Sequence, residues 1–249
     1  MNSTAASLNS KPPRSTDAAA ELRALKVEKL RRLEAAAEAV RFDWRRKARP
    51  DQLTPPDGAI PWRVWLLLAG RGFGKTRTGA EWVIALARAG KHRIIHLVGA
   101  TAADVRDVMI EGPSGILTIA PKDFTPKYQP SKRRLVFPNG VIARAFSAEK
   151  PRQLRGPQCH AAWADELAAW QYEDAWAQLK LGLRLGNDPQ VCVTTTPRPT
   201  KLIKKLVADR ATATGDRESI WTHSAVGAEV AIVAEGEVET EDTAGVIQI

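Results

Sequence analysis

Eight consecutive residues, Ala69-Gly-Arg-Gly-Phe-Gly-Lys-Thr76, set the narrowest limit on what this chain can fold into. They fit a phosphate-binding loop with Ala in the place of the first glycine. The apolar run Val64–Leu68 directly precedes them, and a stretch of helical composition, Lys75–Ala89, directly follows. In that order, strand, glycine-rich turn and helix let successive backbone N–H groups turn inward around an anion, while the new helix points its positive end at the same place. The expected nucleotide contacts are Ala69, Gly70, Arg71, Gly72, Phe73, Gly74, Lys75 and Thr76. Lys75 bridges the β and γ phosphates of ATP in this reading, and the Thr76 hydroxyl ligates Mg²⁺. Arg71 has three readings: a phosphate contact, a contact to a catalytic carboxylate, or a solvated surface residue.

A loop of this kind needs a sheet to carry it. Short apolar runs alternate with helical stretches: a strand at Arg93–Gly99, a short helix near Ala103–Ile110, a strand at His160–Ala164, a helix at Tyr172–Leu183, a strand at Val191–Thr195 and a helix at Pro199–Ala208. Such alternation predicts an α/β fold, a P-loop NTPase with a mostly parallel sheet flanked by helices. Pro138-Asn-Gly140, between Arg133–Phe137 and Val141–Phe146, predicts a β-hairpin, because Asn-Gly adopts positive φ at little cost.

Hydrolysis requires a second element, and the strand ending in Asp165-Glu166 supplies it. Side chains on a strand alternate between faces, but where the chain turns at the carboxyl end both carboxylates can line the ligand crevice of an open α/β sheet. Asp165 is expected to hold Mg²⁺, and Glu166 to orient and deprotonate the attacking water. An Asp-Glu pair alone is more often a helix N-terminal charge pair. Glu directly after Asp points to the additional-strand glutamate branch of P-loop NTPases, whose members do mechanical work on polymers.

Two further motifs accompany the carboxylates. Thr194, Thr195 and Thr196 end an apolar strand; they fit a sensor of the γ phosphate equally with β-branched strand residues that run into a helix cap. Arg155 lies in a turn-rich loop, Pro151–Pro157, from which an arginine can reach a neighbouring subunit's ATP; Arg152 competes for that role, and a surface or DNA-facing arginine is the alternative. The four histidines, His92, His96, His160 and His223, lack metal-ligand spacing.

Charge sharpens the reading. The chain of 249 residues carries +9, but residues 211–249 hold one basic residue, Arg217, against eight acids, a net −7 that leaves +16 on residues 1–210. A body this basic suits a polyanionic partner. Two cysteines, Cys159 and Cys192, exclude a disulfide framework, and the run Val64–Ala69 is far too short to span a membrane. Residues 1–16 have the composition of a disordered segment. From Asp17 to Arg49, Leu30, Leu33, Ala37, Val40 and Trp44 recur at helical spacing and predict an amphipathic arm. The expected division is a disordered N-terminus and helical arm over 1–50, an ATPase domain over 51–210 and an acidic tail over 211–249.

The runs Trp65–Trp82, Leu154-Arg-Gly-Pro157, Ala162–Trp170 and Thr194–Pro199 resemble, in order and spacing, the ATPase domain of tailed-phage terminase large subunits, over about residues 60–207. The resemblance implies a motor that assembles as a homo-oligomeric ring on a procapsid and drives double-stranded DNA inward by Mg²⁺-ATP hydrolysis. Its partners are then the DNA, the portal protein and the small terminase subunit, and its place the host-cell cytoplasm. Lys75 and Thr76 take the phosphate and Mg²⁺ roles, Asp165 the metal, Glu166 the catalysis, Thr194–Thr196 the coupling, and Arg155 the trans-acting finger. Family members continue into a nuclease domain, for which this chain has no room, and residues 211–249 depart from the family pattern. A truncated gene or a separate ATPase polypeptide accounts for this; a non-catalytic relic or adaptor and another P-loop translocase or helicase are the competing readings.

Overall fold

A computed structural model of the chain describes residues 15–55, 62–212 and 220–224. The chain divides into two compact units, the first ending at Asp43 and the second beginning at Trp44. The first contains helix α1, Ser15–Phe42, a run without glycine or proline that is rich in Ala, Leu, Glu and Arg. Arg32 pairs with Glu28 one turn before it, and Arg41 sits in the last turn, where a cation favours the helix dipole. Leu30, Leu33 and Val40 of the predicted stripe are exposed. Ser15 and Thr16 open this helix, whereas the remaining residues read as disordered lie outside the described residues. Trp44 does not belong to the stripe: α1 stops at Phe42, and Trp44 opens the four-residue helix α2, Trp44–Lys47, where the Arg77 guanidinium lies 5.5 Å from its ring centroid.

The second unit is built on one sheet. In chain order its remaining elements are β1 Val64–Leu68, α3 Lys75–Ala89, β2 Ile94–Gly99, α4 Ala102–Asp104, α5 Ile116–Ile119, β3 Lys127–Gln129, β4 Arg134–Val136, β5 Ile142–Ser147, β6 Ala161–Asp165, α6 Glu173–Gly182, β7 Gln190–Thr195, α7 Lys201–Thr212 and β8 Ile220–Ser224. The eight strands lie in the order β3-β4-β5-β2-β6-β7-β1-β8. From β5 to β8 every pairing is parallel, and only β3 and β4 run antiparallel to their neighbours. The strand β7 lies between the P-loop strand β1 and the carboxylate strand β6, as an additional-strand arrangement requires.

Helices on both faces explain why β1 and β6 read as continuous apolar runs instead of alternating ones: every residue of each is buried. Alternate residues still divide between two cores. Trp65, Leu67, Trp163 and Cys192 pack with Ala80, Val83 and Ala87 of α3, while Leu66, Leu68, Ala162, Ala164 and Val193 pack with Trp176 and Leu179 of α6 and Ile203 and Leu206 of α7. Each fully buried leucine contributes about 2 kcal/mol. His96 is buried on β2 with its ring centroid 4.6 Å from that of Phe146, and burial, then the Arg144 charge, pushes its pKa down to about 3, so it is a neutral core residue.

The hairpin forms where Asn-Gly predicts it, with Gly140 at φ 81° and Arg134–Val136 facing Ile142–Arg144. Its Asn139 also donates through Nδ2 to the carbonyl of Ala87 at 2.7 Å, satisfying an acceptor in the last turn of α3. Residues 103–110 are not one helix: α4 ends after a reciprocal Thr101–Asp104 cap, and Val105–Ile110 continues as a π-helical turn. The strand β8 falls in the stretch read from sequence as an acidic tail, yet it pairs in parallel with β1; residues 213–219 and 225–249 of that stretch lie outside the described residues.

Candidate functional site

The site forms at the carboxyl ends of β1, β6 and β7. After Leu68 the amide of Ala69 still bonds to the Thr195 carbonyl at 3.2 Å, and from there the loop leaves the sheet. Gly72 and Gly74 stand at φ 79° and 83°, which glycine adopts without steric cost. Gly74 is also crowded, since a Cβ there would come within 2.8 Å of Gln52 Nε2. It is the N-cap of α3 and provides no side-chain cap, so the first N–H groups of a 15-residue helix face this loop.

Lys75 is buried to 9% exposure, and its Nζ donates to the carbonyls of Ala69 at 2.8 Å and Gly70 at 3.0 Å. Burial lowers its pKa, while the charges of Glu166 and Asp165 act in the opposite direction. Arg71 is exposed but close enough for its charge to lower the Lys75 pKa further. Thr76 follows, half-buried, in the first turn of α3.

Asp165 ends β6 opposite Thr194 of β7. It is 8% exposed, and burial pushes its pKa up to about 6; the Thr194 hydrogen bond and Lys75 oppose that rise, and Glu166 and Asp104 add to it. Thr194 Oγ1 donates to Asp165 Oδ1 at 2.6 Å and accepts from the Trp163 indole at 2.8 Å. Glu166, the next residue, has φ 50° and ψ 49°, a left-handed conformation costing about 1–2 kcal/mol for a residue with a side chain. That single turn breaks the strand alternation. The Glu166 carboxylate then accepts from the Thr196 amide at 2.9 Å and from the Thr196 hydroxyl. The turn is anchored behind by the Trp170 indole on the Asp165 carbonyl and by the Ala168 amide on Thr195 Oγ1.

Of the residues expected here, the fold joins Ala69, Gly70, Lys75, Asp165, Glu166, Thr194 and Thr196. Thr195 points to the opposite face of β7 and serves the turn after β6, so the three threonines divide their roles. Arg155 and Arg152 are both exposed in the loop between β5 and β6, and among the described residues neither bonds to this cluster. Two residues not expected at this site from sequence complete the loop's support. Gln52, 6% exposed, donates to the Phe73 carbonyl at 2.9 Å; Arg49 donates to the same carbonyl and stacks its guanidinium 4.6 Å from the Phe73 ring centroid. Gln52 lies in a proline-rich segment some twenty residues upstream, where no local pattern marks it, and Arg49 ends the arm read over Asp17–Arg49.

Among the described residues no three His, Cys, Asp or Glu side chains cluster as a metal cage. The oxygen donors that could serve a cation here are one buried carboxylate, Asp165, and the Thr76 hydroxyl in the first turn of α3. Hard oxygen donors in that small number fit Mg²⁺, which keeps several waters and takes further ligands from nucleotide phosphates.

Solved large terminases, among them an isolated large terminase ATPase domain, share this fold. The large terminase from a thermophilic bacteriophage superposes with a TM-score of 0.52 at 13% identity, covering 75% of this chain and 44% of that one. The Thermus phage P74-26 large terminase ATPase domain gives 0.52 at 14% identity, over 74% of this chain and 82% of that domain. The HK97 bacteriophage large terminase gives 0.51 at 20% identity, over 66% and 35%. The chain thus spans less than half the length of the first and third of these proteins. A search of curated proteins returned no match. The model of the terminase large subunit family, T4likevirus-type, N-terminal, matches residues 66–242, which extends past the four motifs and through β8. With more than half of its residues matched, this chain belongs to the terminase large subunit family, of which it carries the N-terminal part.

Proposed function

We propose that this chain is the ATPase motor subunit of a DNA-packaging terminase, coupling Mg²⁺-ATP hydrolysis to movement of double-stranded DNA. The observation that carries the reading is that Lys75, bonded to the Ala69 carbonyl just after β1, and Asp165 and Glu166, bonded to Thr194 and Thr196 of the β7 end, lie at one end of the sheet, beside an α3 N-terminus that has no side-chain cap. The loop amides and Lys75 bind the phosphates; Thr76 and Asp165 hold Mg²⁺, which when bound neutralises charge on the phosphate oxygens. Glu166 orients the attacking water and takes its proton, with Thr196 fixing one carboxylate oxygen and leaving the other for that task. Because Thr194 and Thr196 contact both carboxylates and lead into α7, a change at the γ phosphate is passed to that helix. Arg155 serves a neighbouring subunit's nucleotide in a ring on the portal protein, with the small terminase subunit as a further partner. The thermophilic-phage large terminase, similar in fold, has been solved with ATP-gamma-S and with ADP, which supports the nucleotide assignment.

The test is nucleotide binding and steady-state hydrolysis by the purified chain. Lys75→Ala is expected to abolish nucleotide binding. Glu166→Gln is expected to bind ATP as the wild type does and to hydrolyse it at least about a hundredfold more slowly. Equal rates for Glu166→Gln and wild type overturn the role given to Glu166.

A further inference from the structure

One side chain of the carboxylate strand has no part in the chemistry described so far and yet touches both β7 and α3. Trp163 is fully buried in the middle of β6, on the same face as Asp165 and towards α3. Its indole Nε1 donates to Thr194 Oγ1 at 2.8 Å. An indole nitrogen is a donor only, so this bond occupies a lone pair of the threonine oxygen and dictates where the threonine's single proton goes. Two acceptors lie within reach of it: Asp165 Oδ1 at 2.6 Å and the Ala164 carbonyl at 3.4 Å. The short, charge-assisted bond to the carboxylate takes the proton. The second carboxylate oxygen of Asp165 takes no part in that bond and would be the one available to a cation.

The same edge of the indole is also packed by the helix that begins at the P-loop. Gly79, one turn after Lys75 in α3, lies against the ring so closely that a Cβ on it would stand 2.2 Å from Trp163 Cε2 and 2.3 Å from Nε1. That contact involves the edge of the ring that carries the N–H. Helix α3, the indole, the threonine of β7 and the metal carboxylate of β6 thus form one continuous chain, in which each member fixes the direction of the next.

We propose that Trp163 is a positioning residue for the metal site: its N–H, set in place by Gly79, directs the Thr194 hydroxyl onto Asp165 and so holds that carboxylate turned towards Mg²⁺. The inference rests on the nucleotide-hydrolysing reading of the same site. It assigns Gly79 a purpose that only glycine fulfils, which is to let the P-loop helix approach the strand that carries the metal ligand.

The test uses the full chain with Mn²⁺ as the cation, its affinity for the complex with a slowly hydrolysed ATP analogue being read by electron paramagnetic resonance. Trp163→Phe keeps an aromatic ring and removes the donor; it is expected to weaken Mn²⁺ binding about fivefold or more, the loss of one buried hydrogen bond, while metal-free nucleotide affinity stays within about twofold. Thr194→Val weakens Mn²⁺ binding likewise, Thr194→Ser restores it, and adding Trp163→Phe to Thr194→Val has no further effect, because the indole acts only through the hydroxyl. Gly79→Ala leaves every hydrogen-bonding group present and displaces the ring edge; it decides the matter if circular dichroism finds Trp163→Phe unfolded. Wild-type Mn²⁺ affinity in the folded variant, or additive losses in the double variant, overturns the proposal. A wild-type chain that fails to bind the Mn²⁺-nucleotide complex at all overturns the ATPase reading and the proposal with it, and so is told apart from a failure of the proposal alone.

Discussion

Asp165 carries an electrostatic cost that is visible without any ligand. Burial holds its pKa at about 6, above the ordinary carboxylate value near 4. The native chain therefore binds this proton more tightly than the unfolded chain does. The associated stability is fully present below about pH 4 and is lost as the pH rises through 6. Above that the buried carboxylate is charged, with Thr194 and Lys75 as its compensation. For the metal-free protein, Asp165→Asn is expected to raise Tm by a few degrees at about pH 8 and to leave it nearly unchanged near about pH 4, a difference that calorimetry at the two pH values measures. An equal effect at both would mean that the change acts through packing and not through charge. Asp165 and Glu166 were legible in sequence because a carboxylate pair at the end of an apolar strand is unusual. The left-handed turn between them was not, since no residue type at 166 announces it.

At the scale of elements, the parts that were legible are those whose residues have a strong local reason to be where they are. The glycine loop, the Asn-Gly turn and the five-residue apolar strands β1 and β6 follow from backbone preference and hydrophobic run length. The short edge strand β3, Lys127-Tyr-Gln129, carries a single apolar residue and is held by pairing to β4, which no local pattern encodes. The π-helical turn after α4 likewise answers to Met109 and Ile110 reaching the core beneath the sheet. Tertiary contacts also give the hairpin a second task. Asn139 donates to the Ala87 carbonyl, so Asn139→Ala is expected to cost about 1 kcal/mol and lower Tm by about 2–4 °C. Thermal unfolding checks this, and nucleotide affinity should not change, because the bond is at the far end of α3 from the P-loop.

Across the whole molecule, charge and fold support one another. The +16 over residues 1–210 accompanies a mostly parallel sheet, and the loop between β5 and β6 presents Arg152 and Arg155 at the surface. An exposed arginine that bonds to nothing in its own site is suited to a neighbour's. If Arg155 acts in trans, ATPase activity per chain rises with protein concentration in the wild type, and Arg155→Ala removes that rise, lowering the assembled rate by about a thousandfold. Rate measured against concentration for Arg155→Ala and Arg152→Ala separates the two arginines; a concentration-dependent rate that survives in Arg155→Ala assigns the finger elsewhere.

The left-handed backbone at Glu166 has a consequence for how this sequence can drift. Glycine is the residue that the backbone geometry alone would choose there, and a change to it would relieve about 1 kcal/mol of strain while deleting the carboxylate. Under the role proposed for Glu166, natural variation at 166 becomes a record of use: a lineage that depends on that carboxylate keeps a strained glutamate, and one that does not is free to relax it.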